Sequence, residues 1–156
     1  MKYVFDSDSL INLFRHYYTE RFPTLWEKFD ALVSEGELTS VREVFNEIGS
    51  SKDPLGTWAK EQKNILFLES TVEELKFVSE IFQVQHFQAM IRKQERLKGK
   101  PVADPFVIAR AKISGACVVA QEKKTENAAK IPNVCDHFGI RWINLEGFMK
   151  EENWTF

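Results

Sequence analysis

Acidic side chains stand at the positions where an α/β protein would build a crevice. Asp6 and Asp8 follow the apolar run Tyr3-Val4-Phe5, and Glu122 comes two residues after the run Ala116-Cys117-Val118-Val119-Ala120. Asp104 opens an apolar-periodic stretch with Pro105 behind it, while Glu43 and Glu47 lie four residues apart on one face of a helix-patterned segment. Carboxylates that converge without basic partners repel, and protonation or a divalent cation resolves the repulsion. Hard oxygen donors with no His/Cys set point to Mg²⁺ or Mn²⁺. One or two such ions held by acids are the usual equipment for hydrolysing phosphodiesters, because they activate a water and stabilise the charge growing on the phosphate.

The elements that must position these acids alternate between strand and helix. After Tyr3-Val4-Phe5, the residues Leu10, Ile11, Leu13, Phe14, Tyr17 and Tyr18 recur at helical spacing, and Ser7, Asp8 or Ser9 is suited to cap the first turn. Pro23 begins a second helical pattern through Val33 that stops at Gly36, and a short strand is expected around Leu38. Val41, Val44, Phe45 and Ile48 are again helical, and Asp53-Pro54 starts a helix whose Trp58 faces inward. Ile65 to Leu68 fits either a strand or the start of a long helix. Thr71 and Glu74 form a capping-box signature at the head of a helical pattern running to about Lys98. Asp104, itself a good N-cap, starts a helix closed at Gly115, and Cys117 to Ala120 is the clearest buried strand. Pro132 to Phe138 reads as a short helix, Ile140 to Ile143 as a last strand, and Leu145 to Lys150 as a last helix.

Strands separated by helices make βαβ units, hence a parallel sheet covered on both faces. The expectation is one domain over residues 1–156, a three-layer α/β/α fold with four to five mostly parallel strands. Ligands then bind beyond the carboxyl ends of the strands, where Asp6 and Glu122 fall. With 156 residues, 44% of them hydrophobic, the chain has material for a real core, which excludes disorder. No apolar run reaches the roughly 18 residues of a membrane span, and the N-terminal apolar trio is too brief for a signal peptide. Cys117 and Cys135 offer neither a CxxC nor a zinc spacing, and their apolar flanks suit packed thiols in a reducing cytoplasm. A net charge of -2 excludes binding to nucleic acid by global charge, though not by a local patch. His16, His86 and His137 form no metal or catalytic spacing, and neither a GxSxG elbow nor a Gly-rich phosphate loop is present.

Four segments together resemble the PIN-domain ribonucleases. Val4-Phe5-Asp6-Ser7-Asp8-Ser9-Leu10-Ile11 looks like their opening, and Val44-Phe45-Asn46-Glu47-Ile48 is similar to their second motif, a helical Glu between apolar residues. Asp104-Pro105-Phe106-Val107-Ile108-Ala109-Arg110-Ala111 is similar to the third, and Val118-Val119-Ala120-Gln121-Glu122 occupies the fourth. The order and rough spacing hold from Val4 to about Leu145. The stretch containing Trp58 and the tail Ile131-Pro132-Asn133-Val134-Cys135 resemble an uncharacterised PIN-like subfamily related to VapC-type toxins. The resemblance implies an Mg²⁺- or Mn²⁺-dependent ribonuclease with Asp6, Glu47, Asp104 and Glu122 as its acidic set. Asp6, Asp104 and Glu122 would surround the metal, the two aspartates as direct ligands. Glu47 and Glu122 would act through water or orient the attacking water. It further implies an RNA substrate, a toxin's antitoxin partner and a homodimer. Two departures stand out, since Ala120 replaces the family's usual Thr and Glu122 its usual Asp.

Glu43 competes with Glu47 for the second role, and Asp8 and Ser9 are alternates at the first position. Arg92, Lys93, Arg96, Lys98 and Lys100 crowd a basic run before Asp104, which reads either as a solvated helix end or as a phosphate-gripping rim for RNA. Two other readings compete. Phe5-Asp6-Ser7-Asp8 also resembles the DxD of haloacid-dehalogenase-like phosphatases, although no paired Asp follows a later strand. The same fold could also serve as a binding module with weak or lost catalysis.

Overall fold

A computed structural model describes residues 1–90 and 102–156. Five strands, β1 (Tyr3–Phe5), β2 (Leu38–Val41), β3 (Phe67–Leu68), β4 (Cys117–Val119) and β5 (Trp142–Ile143), form one sheet in the order β3-β2-β1-β4-β5. Every pairing is parallel, with Tyr3 opposite both Leu38 and Cys117 and Phe5 opposite Val119. The expected α/β fold with a parallel sheet and helices on both faces is therefore what the chain adopts. Its strands are short, and the central pair β1 and β4 read as continuous apolar runs because both faces are covered. Val4, Phe5, Val118 and Val119 are wholly inaccessible to solvent.

The helices are α1 (Ser7–His16), α2 (Pro23–Ser34), α3 (Arg42–Ile48), α4 (Pro54–Gln62), α5 (Val72–Gln83), α6 (Asp104–Ser114), α7 (Ile131–Phe138) and α8 (Leu145–Glu151), with a 3₁₀ turn at Gln85–Gln88. Phe5 meets Phe29 of α2 and Phe148 of α8 edge to face on one side of the sheet. Phe14, Trp26, Phe29, Trp58 and Phe67 extend that layer as a chain of ring contacts, so the inward-facing Trp58 is partly buried and packs against the core. Helix α6 packs against β1, β2 and β4, and carries α5 and α7 beside it. Gly115 and Gly139 close α6 and α7 at φ near +70°, a conformation other residues adopt only with strain.

Three local expectations are corrected. Asp6, rather than Ser7, Asp8 or Ser9, is the N-cap of α1, its carboxylate accepting the Ser9 N–H at 2.8 Å. The N-cap of α6 is Ala103, so Asp104 sits inside the first turn. The helix headed by the Thr71–Glu74 capping box ends at Gln83, because Val84 takes extended backbone and the chain tightens into the 3₁₀ turn.

Candidate active site

The sheet order reverses between β1 and β4: β2 and β3 extend from one side of β1, and β4 and β5 from the other. A crevice opens beyond the carboxyl ends of the strands at such a reversal. Asp6 stands there, 3% exposed, at the end of β1. Its backbone N–H donates to Val119 O of β4 at 3.1 Å, which ties it to the neighbouring strand. Ser9 is buried beside it, the hydroxyl donating to the same Val119 carbonyl at 2.9 Å. Ser40 at the end of β2 donates its hydroxyl to Phe5 O at 2.7 Å. The turn that presents Asp6 is thus pinned from both flanking strands.

Burial pushes the Asp6 carboxyl up from 3.8 to about 8; the hydrogen bonds from Ser9 oppose the rise, and the Asp104 and Asp8 carboxylates add to it. Asp104, half-buried in the first turn of α6, therefore faces the same crevice as Asp6. Asp8 is exposed on α1. Glu47 is exposed near the end of α3 and joins the two aspartate neighbourhoods. Its Oε1 accepts the Ala103 N–H at 3.0 Å, and its Oε2 accepts the Ser7 hydroxyl. Glu122, half-buried, follows β4 past Ala120 at the same edge of the sheet.

Glu43 belongs to a different polar cluster. Burial raises its carboxyl, and the charges acting on it are those of Arg110, Arg42 and Glu74. Its Oε1 is buried without a hydrogen-bond partner among the described residues. That cluster centres on Arg110, whose guanidinium meets Glu74 at 3.0–3.2 Å and donates to the carbonyls of Ser40 and Glu69. Both partners are nearly fully buried. Arg110 thereby locks α6, the helix that carries Asp104, to α5 and to the ends of β2 and β3. Sequence reasoning missed this clamp; its one visible signal was an arginine inside an otherwise apolar helical run.

Among the described residues no group of three or more His, Cys, Asp or Glu side chains is drawn close enough to hold a metal ion. The donor chemistry nonetheless suits a hard cation. Burial, and to a lesser degree the Asp104 carboxylate, disfavour the charged form of Asp6, a cost that a hard cation would relieve. The basic run Arg92, Lys93, Arg96, Lys98 and Lys100 lies outside the described residues. No helix among the described residues is long and apolar enough to cross a membrane.

The chain belongs to the family described as "Domain of unknown function (DUF4411)", whose model matches residues 3–156. No protein of curated function matches it. Among solved structures it is similar to VapBC2 from Rickettsia felis bound to a DNA fragment from its promoter. That alignment covers 92% of this chain and 98% of the other, at 12% identity and a TM-score of 0.48. A likeness this distant assigns no role to any residue.

Proposed function

We propose that this member of the DUF4411 family is a divalent-metal-dependent ribonuclease, a hydrolase with one PIN-like domain over residues 1–156. The observation that carries the reading is the buried Asp6 carboxylate at the sheet's reversal point, facing Asp104, with Glu47 hydrogen-bonded beside both. Glu47, in the second of the four segments that resemble PIN-domain ribonucleases, bonds to Ser7 in the first and to Ala103 just ahead of the third. Asp6 and Asp104 would hold Mg²⁺ or Mn²⁺, with waters completing the coordination. When bound, the metal would supply an activated water and stabilise charge on the phosphate.

The chain's own groups prepare that chemistry. The Ser9 N–H and the pinned turn fix one Asp6 oxygen and leave the carboxylate only one aim. The N-termini of α1 and α6 favour negative charge on Asp6 and Asp104, which partly offsets the cost of burying it. Glu47 fixes the start of α6 relative to the start of α1 and so sets the spacing between the aspartates. Glu122 is the carboxylate left to orient an attacking water. Asp8, the second acid of the phosphatase reading, faces solvent from α1. An RNA substrate, a cytoplasmic setting, a role as the toxin of a toxin–antitoxin pair, an antitoxin partner and a homodimer all follow from the same reading.

The test is cleavage of a mixed RNA pool with Mn²⁺ or Mg²⁺, comparing wild type with Asp104→Asn. Cleavage that requires the metal and disappears in the variant is the expected result. Equal residual cleavage by both proteins would mean contamination. A binding module with lost catalysis is the second reading, favoured by the absence of a three-acid cluster among the described residues. Tight Mn²⁺ binding with no cleavage of any RNA would establish it instead.

A further inference from the structure

A cleft of about 540 Å³ lies between α1 and α8 and is lined by Asn12, His16, Tyr17, Gln121, Asn144 and Lys150 among others. Its position ties it to the candidate active site. Gln121 directly follows Ala120 at the carboxyl end of β4, the strand that pairs with Phe5 ahead of Asp6. Asn12 is one turn along α1 from Asp8, to whose carbonyl its Nδ2 donates at 2.8 Å. A second cleft of about 520 Å³, lined by Lys2, Lys112, Gly115 and Gly139, sits instead at the opposite edge, where β1 and β4 begin.

The hydrogen bonds around the first cleft decide what it presents. The Gln121 Oε1 accepts the Leu145 N–H at 2.8 Å, and the Asn144 Oδ1 accepts the Gly147 N–H at 2.8 Å. With each amide oxygen oriented by a backbone N–H, the NH₂ groups of these side chains are their donors to whatever fills the cleft. His16 adds an imidazole, and Lys150 adds an ammonium whose pairing with Glu146 is between two side chains about three-quarters exposed. Such a solvated pair holds little energy and exchanges readily for another anion. Tyr17 and the nearly buried Trp154 supply the apolar wall. Donors and a cation beside aromatic surface match the acceptor-rich backbone and flat bases of a single RNA strand. The volume falls within the roughly 300–1,000 Å³ of clefts that take small organic groups, room enough for a nucleotide unit.

We infer that the cleft between α1 and α8 holds the single-stranded RNA segment that flanks the bond cut at Asp6 and Asp104. This inference rests on the ribonuclease reading for its substrate, but the experiment separates the two. A fluorescein-labelled single-stranded RNA oligonucleotide is titrated with full-length protein in EDTA, so that binding is read without cleavage. The combined variant Asn12→Ala, His16→Ala, Lys150→Ala is expected to bind about tenfold more weakly, while its melting temperature stays at the wild-type value. Lys112→Ala, in the opposite cleft, is expected to bind as wild type does. Cross-links from a 4-thiouridine oligonucleotide should map to peptides containing residues 12–17 or 144–150. Binding of the combined variant within twofold of wild type, cross-links confined to the Lys112 cleft, or no oligonucleotide binding by wild type would each overturn the inference. If wild type cleaves RNA yet the combined variant binds normally, the cleft assignment fails and the ribonuclease reading stands. If wild type binds RNA in this cleft but never cleaves with Mn²⁺, the reverse holds.

Discussion

Glu47 accepts the backbone N–H of Ala103 at 3.0 Å, and Ala103 is the residue immediately before Asp104. The other oxygen of the same carboxylate takes the hydroxyl of Ser7, the residue immediately after Asp6. One exposed side chain on α3 therefore bridges the two turns that present the buried and half-buried aspartates. A residue expected to act through water, or to orient the attacking water, is the strut between the two aspartates.

That strut separates structure from chemistry by substitution. Glu47→Gln keeps an oxygen acceptor for Ala103 and is expected to unfold within about 0.5 kcal/mol of wild type. Glu47→Ala loses both bonds and is expected to cost about 1–2 kcal/mol. RNA cleavage should fall in both if the negative charge matters, and only in Glu47→Ala if spacing alone does. Urea denaturation and single-turnover cleavage, run side by side, read the difference.

The buried Asp6 carboxyl is expected to lower the stability of the metal-free protein as pH rises. Below about pH 4 the folded and unfolded chains both hold its proton. Between about 4 and 8 the unfolded chain ionises while the folded chain does not, so stability falls across that window and the penalty is complete above about 8. Asp6→Asn keeps an oxygen for the Ser9 N–H and removes the titration. In EDTA it should melt higher than wild type by about 3–10 °C at pH 8, with the gap closing toward pH 4. A variant that melts lower than wild type at pH 8 would contradict this account.

Arg110 and Glu74 should behave as a buried pair in which either partner alone is a liability. Arg110→Ala or Glu74→Ala is expected to cost about 3–5 kcal/mol, because each leaves a charge buried among apolar neighbours. Replacing both with methionine should recover much of that loss. Circular dichroism melts of the single and double variants form the required cycle.

Cys117 and Cys135 are buried free thiols. Burial pushes the Cys117 thiol up to about 11 and the Cys135 thiol further in the same direction. Neither should be carbamidomethylated by iodoacetamide at pH 7.5 in the native protein, and both should be in guanidinium. The thiol ionises more readily in the unfolded chain, so stability should also decline as pH climbs past about 8.5. Mass spectrometry of labelled protein and melts taken across that range give the two readouts.

The periodicity of apolar residues was enough to read the alternation of strands and helices, because a parallel sheet forces both signals to be strong. Asp6 and Asp104 were legible as candidates because one directly follows a strand and the other opens a helix. What was not legible is whatever depends on side chains meeting across the chain. Nothing around Ser7 or Ala103 announces that Glu47 will bond to both. The double duty of Glu74, as capping box and as counterion to Arg110, cannot be read from Thr71-Val72-Glu73-Glu74. The break after Gln83 was missed because Phe87 continues the apolar rhythm of α5 and is buried, while the backbone at Val84 has already left the helix.

The place of β1 in the sheet also bears on how the protein is made. Within the sheet β1 comes first in sequence order yet is the central strand, and its register partner for Phe5 is Val119, 114 residues later. Loop-closure entropy makes such a distant pairing slow, and Asp104 and Glu122 are likewise far from Asp6 along the chain. Asp6 cannot meet its partners in a nascent chain or in a fragment that stops short of β4.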